Sequence, residues 1–139
     1  MALSQNSELV VQLGDTYNNL SKHIEGQLNM HGISFSEFLV MNQLVSAPKH
    51  CLSRVELAKK VSLTASGITR MLVPMEKIGL VEKAANPRDA RVSLVKLTTS
   101  GHKIYQEAET AVNETSNQLF EKLTSKQGEQ LANLLRRMY

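Results

Sequence analysis

Residues Ser53–Leu97 read SRVELAKKVSLTASGITRMLVPMEKIGLVEKAANPRDARVSLVKL, and this run decides the fold. Ser53 followed by Glu56 has the spacing of a capping box, so a short helix should begin there and carry Val55, Leu57, Ala58 and Val61 inward. Val61–Leu63 form a turn, and Thr64 is the natural N-cap of a second helix. In that helix Ile68, Met71, Leu72, Met75 and Ile78 recur at helical spacing and make one apolar stripe, closed by Gly79. Two strand-like runs follow, Leu80–Ala84 and Val92–Leu97, with Asn86-Pro87 marking the turn between them. A helix-turn-helix followed by a β-hairpin is a winged helix.

The side of the second helix opposite its apolar stripe holds Ser66, Thr69, Arg70, Val73 and Lys77. It is small and polar near its start, with one Arg a turn further in. Such a face suits a DNA major groove, where hydroxyls meet base edges or phosphates and Arg bonds guanine in bidentate fashion. The free N–H groups at the helix start, beside Thr64, favour a phosphate. A polar helix face also simply meets water, so the hairpin loop carries the argument further. That loop contains Arg88, Asp89 and Arg91, with Lys83 on the strand leading in. Two guanidiniums at a hairpin tip suit the narrow, negative minor groove beside a docked helix. Asp89 is expected to hold Arg91 by a charge-assisted hydrogen bond; the plainer alternative is that the pair only braces the turn.

The stretch resembles the winged helix of the MarR family, the multiple-antibiotic-resistance regulators. SRVELAKKVSLTASGITRML, MEKIGLVEK and NPRDARVSLVKLTTSG carry the likeness, the last with an Asp-x-Arg at Asp89 and Arg91 and a Leu-Thr-x-x-Gly at Leu97, Thr98 and Gly101. The flanking helices fit in length and order, so the resemblance covers nearly the whole chain. One departure is Pro74, inside the recognition helix. It lacks the N–H that would bond the Arg70 carbonyl, so a bend is expected there, after the base-reading half.

Charge is distributed to match. The chain has 139 residues and a net charge of +3. Residues 1–47 hold one Lys against four acids, a net of −3; residues 48–103 hold eleven Lys and Arg against four acids, a net of +7; residues 104–139 hold four against five, a net of −1. The basic charge therefore sits on the winged-helix segment, as expected of a DNA-binding module. There is no long apolar run, and no basic amphipathic helix with a large Leu or aromatic face, so no membrane association is expected. MALSQNSELVVQLGD lacks a basic region followed by an apolar core, which argues against a secretory signal, and the single Cys cannot form an internal disulfide. A cytoplasmic protein is the expectation.

Outward from the central run, Leu9, Val10, Leu13, Tyr17, Leu20, Ile24 and Leu28 predict a helix from about Leu3 to His31, stopped by Gly32. Ser34 and Glu37 make a capping box that opens a helix through about Ser46, ended by Ala47-Pro48. Leu52 is expected to form a short strand paired with the hairpin. Thr98 caps a long helix striped by Ile104, Tyr105, Ala108, Ala111, Val112, Leu119, Phe120 and Leu123, interrupted by Thr115–Gln118. Thr124 with Gln127 opens a last helix bearing Leu131, Leu134, Leu135 and Met138. The fold class is thus mainly α with one small β-hairpin. Both chain ends carry apolar stripes that one winged helix cannot bury, and a twofold homodimer that interleaves them is the economical solution, which the resemblance also implies. The expected division is residues 1–33 and 98–139 as a helical dimerisation region and 34–97 as the winged helix-turn-helix DNA-binding domain. A monomer folding these helices back on itself is the alternative.

No nucleophile motif, Gly-rich phosphate loop or matched carboxylate pair appears, so neither an enzyme nor a cofactor is expected. His23, His31, His50 and His102 lack the spacing of a zinc site, and no metal ligand is assigned. Cys51 follows Lys49 and His50, neighbours that can lower a thiol pKa. The resemblance implies a cleft between dimerisation helices and winged helix, lined by Tyr17, His31, Phe38 and Met41, that accepts small aromatic or phenolic acids. The sequence-level conclusion is a dimeric, sequence-specific regulator of transcription, a repressor, on a pseudo-palindromic double-stranded operator and modulated by such an effector. The alternatives are a metal- or thiol-redox-responsive regulator on the same scaffold, or a winged helix used for protein contact.

Overall fold

The computed structural model describes residues 2–139. Met1, with which the expected dimerisation region begins, lies outside the described residues. The element order is α1 (Gln5–Leu28), α2 (Phe35–Ser46), β1 (Cys51–Ser53), α3 (Arg54–Lys60), α4 (Ala65–Lys77), β2 (Val81–Ala84), β3 (Leu94–Leu97), α5 (Thr99–Leu119) and α6 (Ser125–Arg136). Chain breaks follow local chemistry. Ser4 accepts from the Ser7 amide at 3.2 Å, which starts α1 at Gln5 rather than Leu3. After α1 a 3-10 turn over Asn29–His31 ends at Gly32, whose φ of 76° reverses the chain at little cost for glycine. Ser34 and Glu37 form the reciprocal box expected of them, at 3.0 and 2.8 Å, and Thr124 with Gln127 repeats it at α6.

The central sheet is antiparallel with order β1-β3-β2. Leu52 faces Val95 and Lys83 faces Val95 from the other side, so the expected extra strand is present. Ser53 ends β1 and caps α3, accepting from the Glu56 amide at 3.2 Å, but only half of the expected box forms. Its hydroxyl donates to the Glu56 carboxylate at 3.1 Å instead. Both hairpin strands are shorter than expected at their N-terminal ends. Leu80 closes α4, its amide bonding the Met75 carbonyl at 2.9 Å, while Val92 bonds back to the Asp89 carbonyl at 3.1 Å inside the loop.

One core joins α1's end, α2, the helix-turn-helix, the sheet and the start of α5. Leu28, Val40, Met41, Leu44, Leu57, Ile68, Met75 and Ala108 are fully enclosed there. Two expected core residues are not in it. Val55 is 59% exposed, because the seven-residue α3 packs through Leu57 and Ala58 and turns Val55 outward. Ile78 is 61% exposed, because it lies beyond α4 at its C-cap, where the chain turns away through Gly79. The α1 stripe from Leu9 to Tyr17 and the α6 stripe of Leu131, Leu134 and Leu135 are exposed in the single chain. None of the described helices is long and apolar enough to cross a membrane.

Candidate nucleic-acid interface

The recognition helix is held by its buried side. Ile68, Leu72 and Met75 are enclosed, with Met71 half-buried. Thr64, Ser66, Arg70, Val73 and Lys77 are exposed and Thr69 half-buried, so the residues expected to read DNA face out together. Thr64 fills the N-cap role expected of it. Its Oγ1 accepts the Gly67 amide at 3.0 Å as the N-cap and lies 3.2 Å from Ser66 Oγ. The two hydroxyls can still donate or accept outward as a pair. Pro74 stays inside a helix that continues to Lys77, and the Ile78 amide bonds the Pro74 carbonyl at 3.1 Å. The ladder is therefore re-formed one turn after the missing amide, and the base-facing half before it is regular.

The wing is a loop with two internal side-chain turns. Asn86 Oδ1 accepts the Arg88 amide at 3.0 Å, and Asp89 Oδ1 accepts the Arg91 amide at 3.0 Å. Asp89 also holds the Arg91 guanidinium, Nε to Oδ1 at 3.2 Å with a second contact to Oδ2 at 3.4 Å. That side-chain bond, and then the backbone bond from the same residue, hold the Asp89 carboxyl below its ordinary pKa. The Arg91 side chain is 91% exposed while held. Its charge is thus oriented without being buried. Arg88 is exposed and, among the described residues, has no ion-pair partner; Lys83 is exposed at the wing's base.

A further cationic group, not expected from the sequence, lies beside the turn. Lys59 and Lys60 are exposed at the end of α3 beside the turn into α4. The signal was their consecutive placement, which reads equally as helix-dipole complement. Arg54, at the start of α3, has an Nε that is enclosed and unpartnered.

The residues expected in an effector cleft do not line one open cavity in the single chain. Met41 is fully buried in the core, and Phe38 is 7% exposed and stacked on Tyr105 with ring centroids 5.3 Å apart. Tyr17 is exposed on α1 and stacks on Phe35 at 6.5 Å. His31 lies 3.9 Å from Glu107 of α5. Met41 is the correction here: the helical period that put it on the inner side of α2 made it core, not lining. Cys51 Sγ bonds the Lys49 carbonyl at 3.3 Å, and His50 stands edge-on to His102 at 6.0 Å. No group of three potential metal-binding side chains occurs among the described residues.

An outward polar helix face flanked by a cationic hairpin defines a winged helix-turn-helix protein. The MarR family profile matches residues 33–93. Over 107 residues, covering 76% of this chain and 73% of the relative, the chain is 35% identical to the multiple antibiotic resistance protein MarR of Escherichia coli. It is 33% identical over 82 residues to the HTH-type transcriptional regulator PrsX of Escherichia coli, and spans about half (49%) of that protein's length. The crystal structure of a cysteine-to-serine mutant of Escherichia coli MarR complexed with operator DNA superposes with a TM-score of 0.86 at 29% identity, covering 94% of this chain and 93% of that one. The chain belongs to the MarR family.

Proposed function

We propose that this chain is a homodimeric, sequence-specific regulator of transcription, acting as a repressor on a pseudo-palindromic duplex operator. The observation that carries the reading is the outward side of α4, where Ser66, Thr69 and Arg70 meet solvent together rather than the core, on the segment that holds the chain's excess of positive charge. Each recognition helix enters a major groove through Thr64, Ser66, Thr69 and Arg70, and each wing lays Arg88 and Arg91 against the adjacent minor groove, with Lys83 near the backbone. The complex of the MarR relative with operator DNA supports the same partner for this chain.

Residues 34–97 form the reading head, and the exposed stripes of 1–33 and 98–139 pair two copies. Leu9, Val10 and Leu13 of α1 and Leu131, Leu134 and Leu135 of α6 need an apolar partner that the single chain does not supply. An effector, a small aromatic or phenolic acid, would act at the junction of α1, α2 and α5, beside the Tyr17–Phe35 rings and the His31–Glu107 pair, by changing the separation of the two reading heads. The rival use of the winged helix for protein contact fits poorly with a polar and basic outer side on α4.

Fluorescence anisotropy with labelled duplex, titrated in salt, tests the reading. Two heads making about 6–10 phosphate contacts together should lose about a thousandfold or more in affinity between 50 and 200 mM salt. A salt-independent affinity, or none, would remove DNA as the partner.

A further inference from the structure

The presented side of α4 has one residue that cannot hydrogen-bond at its middle. At about 100° per residue, Val73 points within roughly 20° of Ser66 and lies between Thr69 and Arg70 in direction. It is 44% exposed, while Ile68, Leu72 and Met75 on the far side are enclosed. Nothing in the core requires a Val at this place, and its neighbour Pro74, also exposed, adds a second surface without a donor. Ser66 to Val73 spans about 10.5 Å along the axis. That is less than the roughly 12 Å width of a major groove, so a helix seated through Ser66 and Arg70 brings Val73 against the base pairs as well. Lys77, one turn on and in nearly the same direction, then reaches the phosphates.

Seating an isopropyl group there strips water from whatever base edge it covers. Adenine, guanine and cytosine present donors or acceptors that Val73 cannot replace, and an unpaired polar edge is costly. Thymine alone presents a methyl group, whose contact with Val73 is favourable. We infer that Val73 is a specificity-determining residue that selects thymine, through its 5-methyl group, at one position in each half-site. The inference rests on the DNA-binding reading above and adds a base preference that Arg70 and the hydroxyls do not supply.

The test uses the full chain and a duplex that it selects from a random-sequence pool. Each thymine of that duplex is replaced singly by deoxyuridine, which deletes the methyl and leaves the pairing edge unchanged. The expected result is one position per half-site where the wild type loses about fourfold in affinity per methyl, from roughly 0.8 kcal/mol for each buried carbon. Val73→Ala should bind the thymine duplex more weakly by a similar factor and be indifferent to uracil at that position, the coupling of a double-mutant cycle. A wild type indifferent to every uracil, or a uracil penalty unchanged in Val73→Ala, overturns the inference while leaving DNA binding intact. A pool from which nothing is enriched overturns the DNA reading, and the inference with it. A wild type indifferent to every uracil overturns the inference even should Val73→Ala fold poorly, and Val73→Thr, which keeps the shape of the side chain, then replaces it in the cycle.

Discussion

Replacing Gly101 with alanine should damage this fold more than any other glycine-to-alanine change in a helix. Gly101 is buried in the first turn of α5, where the helix crosses the exit from α4. A Cβ built there would lie 3.0 Å from the Leu80 carbonyl carbon and 3.4 Å from its Cα, and far inside contact distance of the carbonyl oxygen. That oxygen cannot swing away, because it accepts the Thr98 amide at 3.0 Å, and the Thr98 hydroxyl, which caps α5, bonds the Gly79 carbonyl beside it. Backbone must therefore separate from backbone by about an ångström. Overpacking of this kind costs about 1–3 kcal/mol, and more where main chain has to move. The better helix propensity of alanine returns about 1 kcal/mol. A net loss of about 2 kcal/mol, from the upper end of that cost, corresponds to a fall in Tm of about 7 °C for a chain of this size. Thermal melts followed by circular dichroism at matched protein concentration would read it. Gly26→Ala, where the added Cβ meets nothing within 4 Å of the chain, is the control and should melt at or above the wild type. A Gly101→Ala protein that melts with that control would refute the packing of α5 on the α4–β2 junction.

Asp89→Ala should weaken DNA binding severalfold although it removes a negative charge, because Arg91 is then no longer held; tighter binding by the variant would show that Asp89 merely repels the phosphates. Since the Asp89 carboxyl is held below its ordinary pKa, the Asp89–Arg91 bond is fully formed above the usual carboxylate range and lost only as pH falls through the lowered value, so binding should not respond to Asp89 titration near neutrality. Arg91→Ala should weaken operator and random duplex alike, whereas Arg70→Ala should act mainly on operator preference; equal loss of preference from both would mean the roles are misassigned. Tyr105, whose hydroxyl donates to Asn42 Oδ1 at 2.8 Å, has its pKa pushed up to about 12 by burial and then by the negative charge of Glu109. Its neutral form thus contributes stability below pH 10 that is lost as pH rises through about 12; an ultraviolet titration of the folded protein in which Tyr105→Phe removes an early-ionising phenol instead of the last one would contradict this.

Much of the fold was legible because it is written locally. Ser34 with Glu37, Thr124 with Gln127, Thr64 and Thr98 all cap the helices their spacing implies, and Gly32 and Gly79 take the positive φ that ends a helix. What failed depends on partners distant in sequence. Val55 and Ile78 fit the helical period, but whether a residue on that period is covered is decided by the length of α3 and by where the chain turns after α4. Met41 was assigned to a cleft because a stripe does not say whether its far wall is core or cavity, and the close packing of α2 makes it core. The wing was readable in composition, since two arginines around an aspartate in a short loop have few other arrangements. Its two Asn and Asp turns, and the shortening of β2 and β3, follow from hydrogen bonds that only the folded loop reveals. At Thr64 the N-cap role was legible from residue type and position, whereas the pairing of its hydroxyl with Ser66 at 3.2 Å exists only in the folded turn.

The central claim is that two copies of one basic reading head, paired through the chain's ends, grip two half-sites at once. Their centres must lie about 34–36 Å apart, one helical turn. Inserting half a turn of DNA between the half-sites of a selected duplex, and measuring affinity by anisotropy at fixed salt, tests this directly. Affinity should fall to that of a duplex with a single half-site; an affinity unchanged by the insertion would contradict the paired grip.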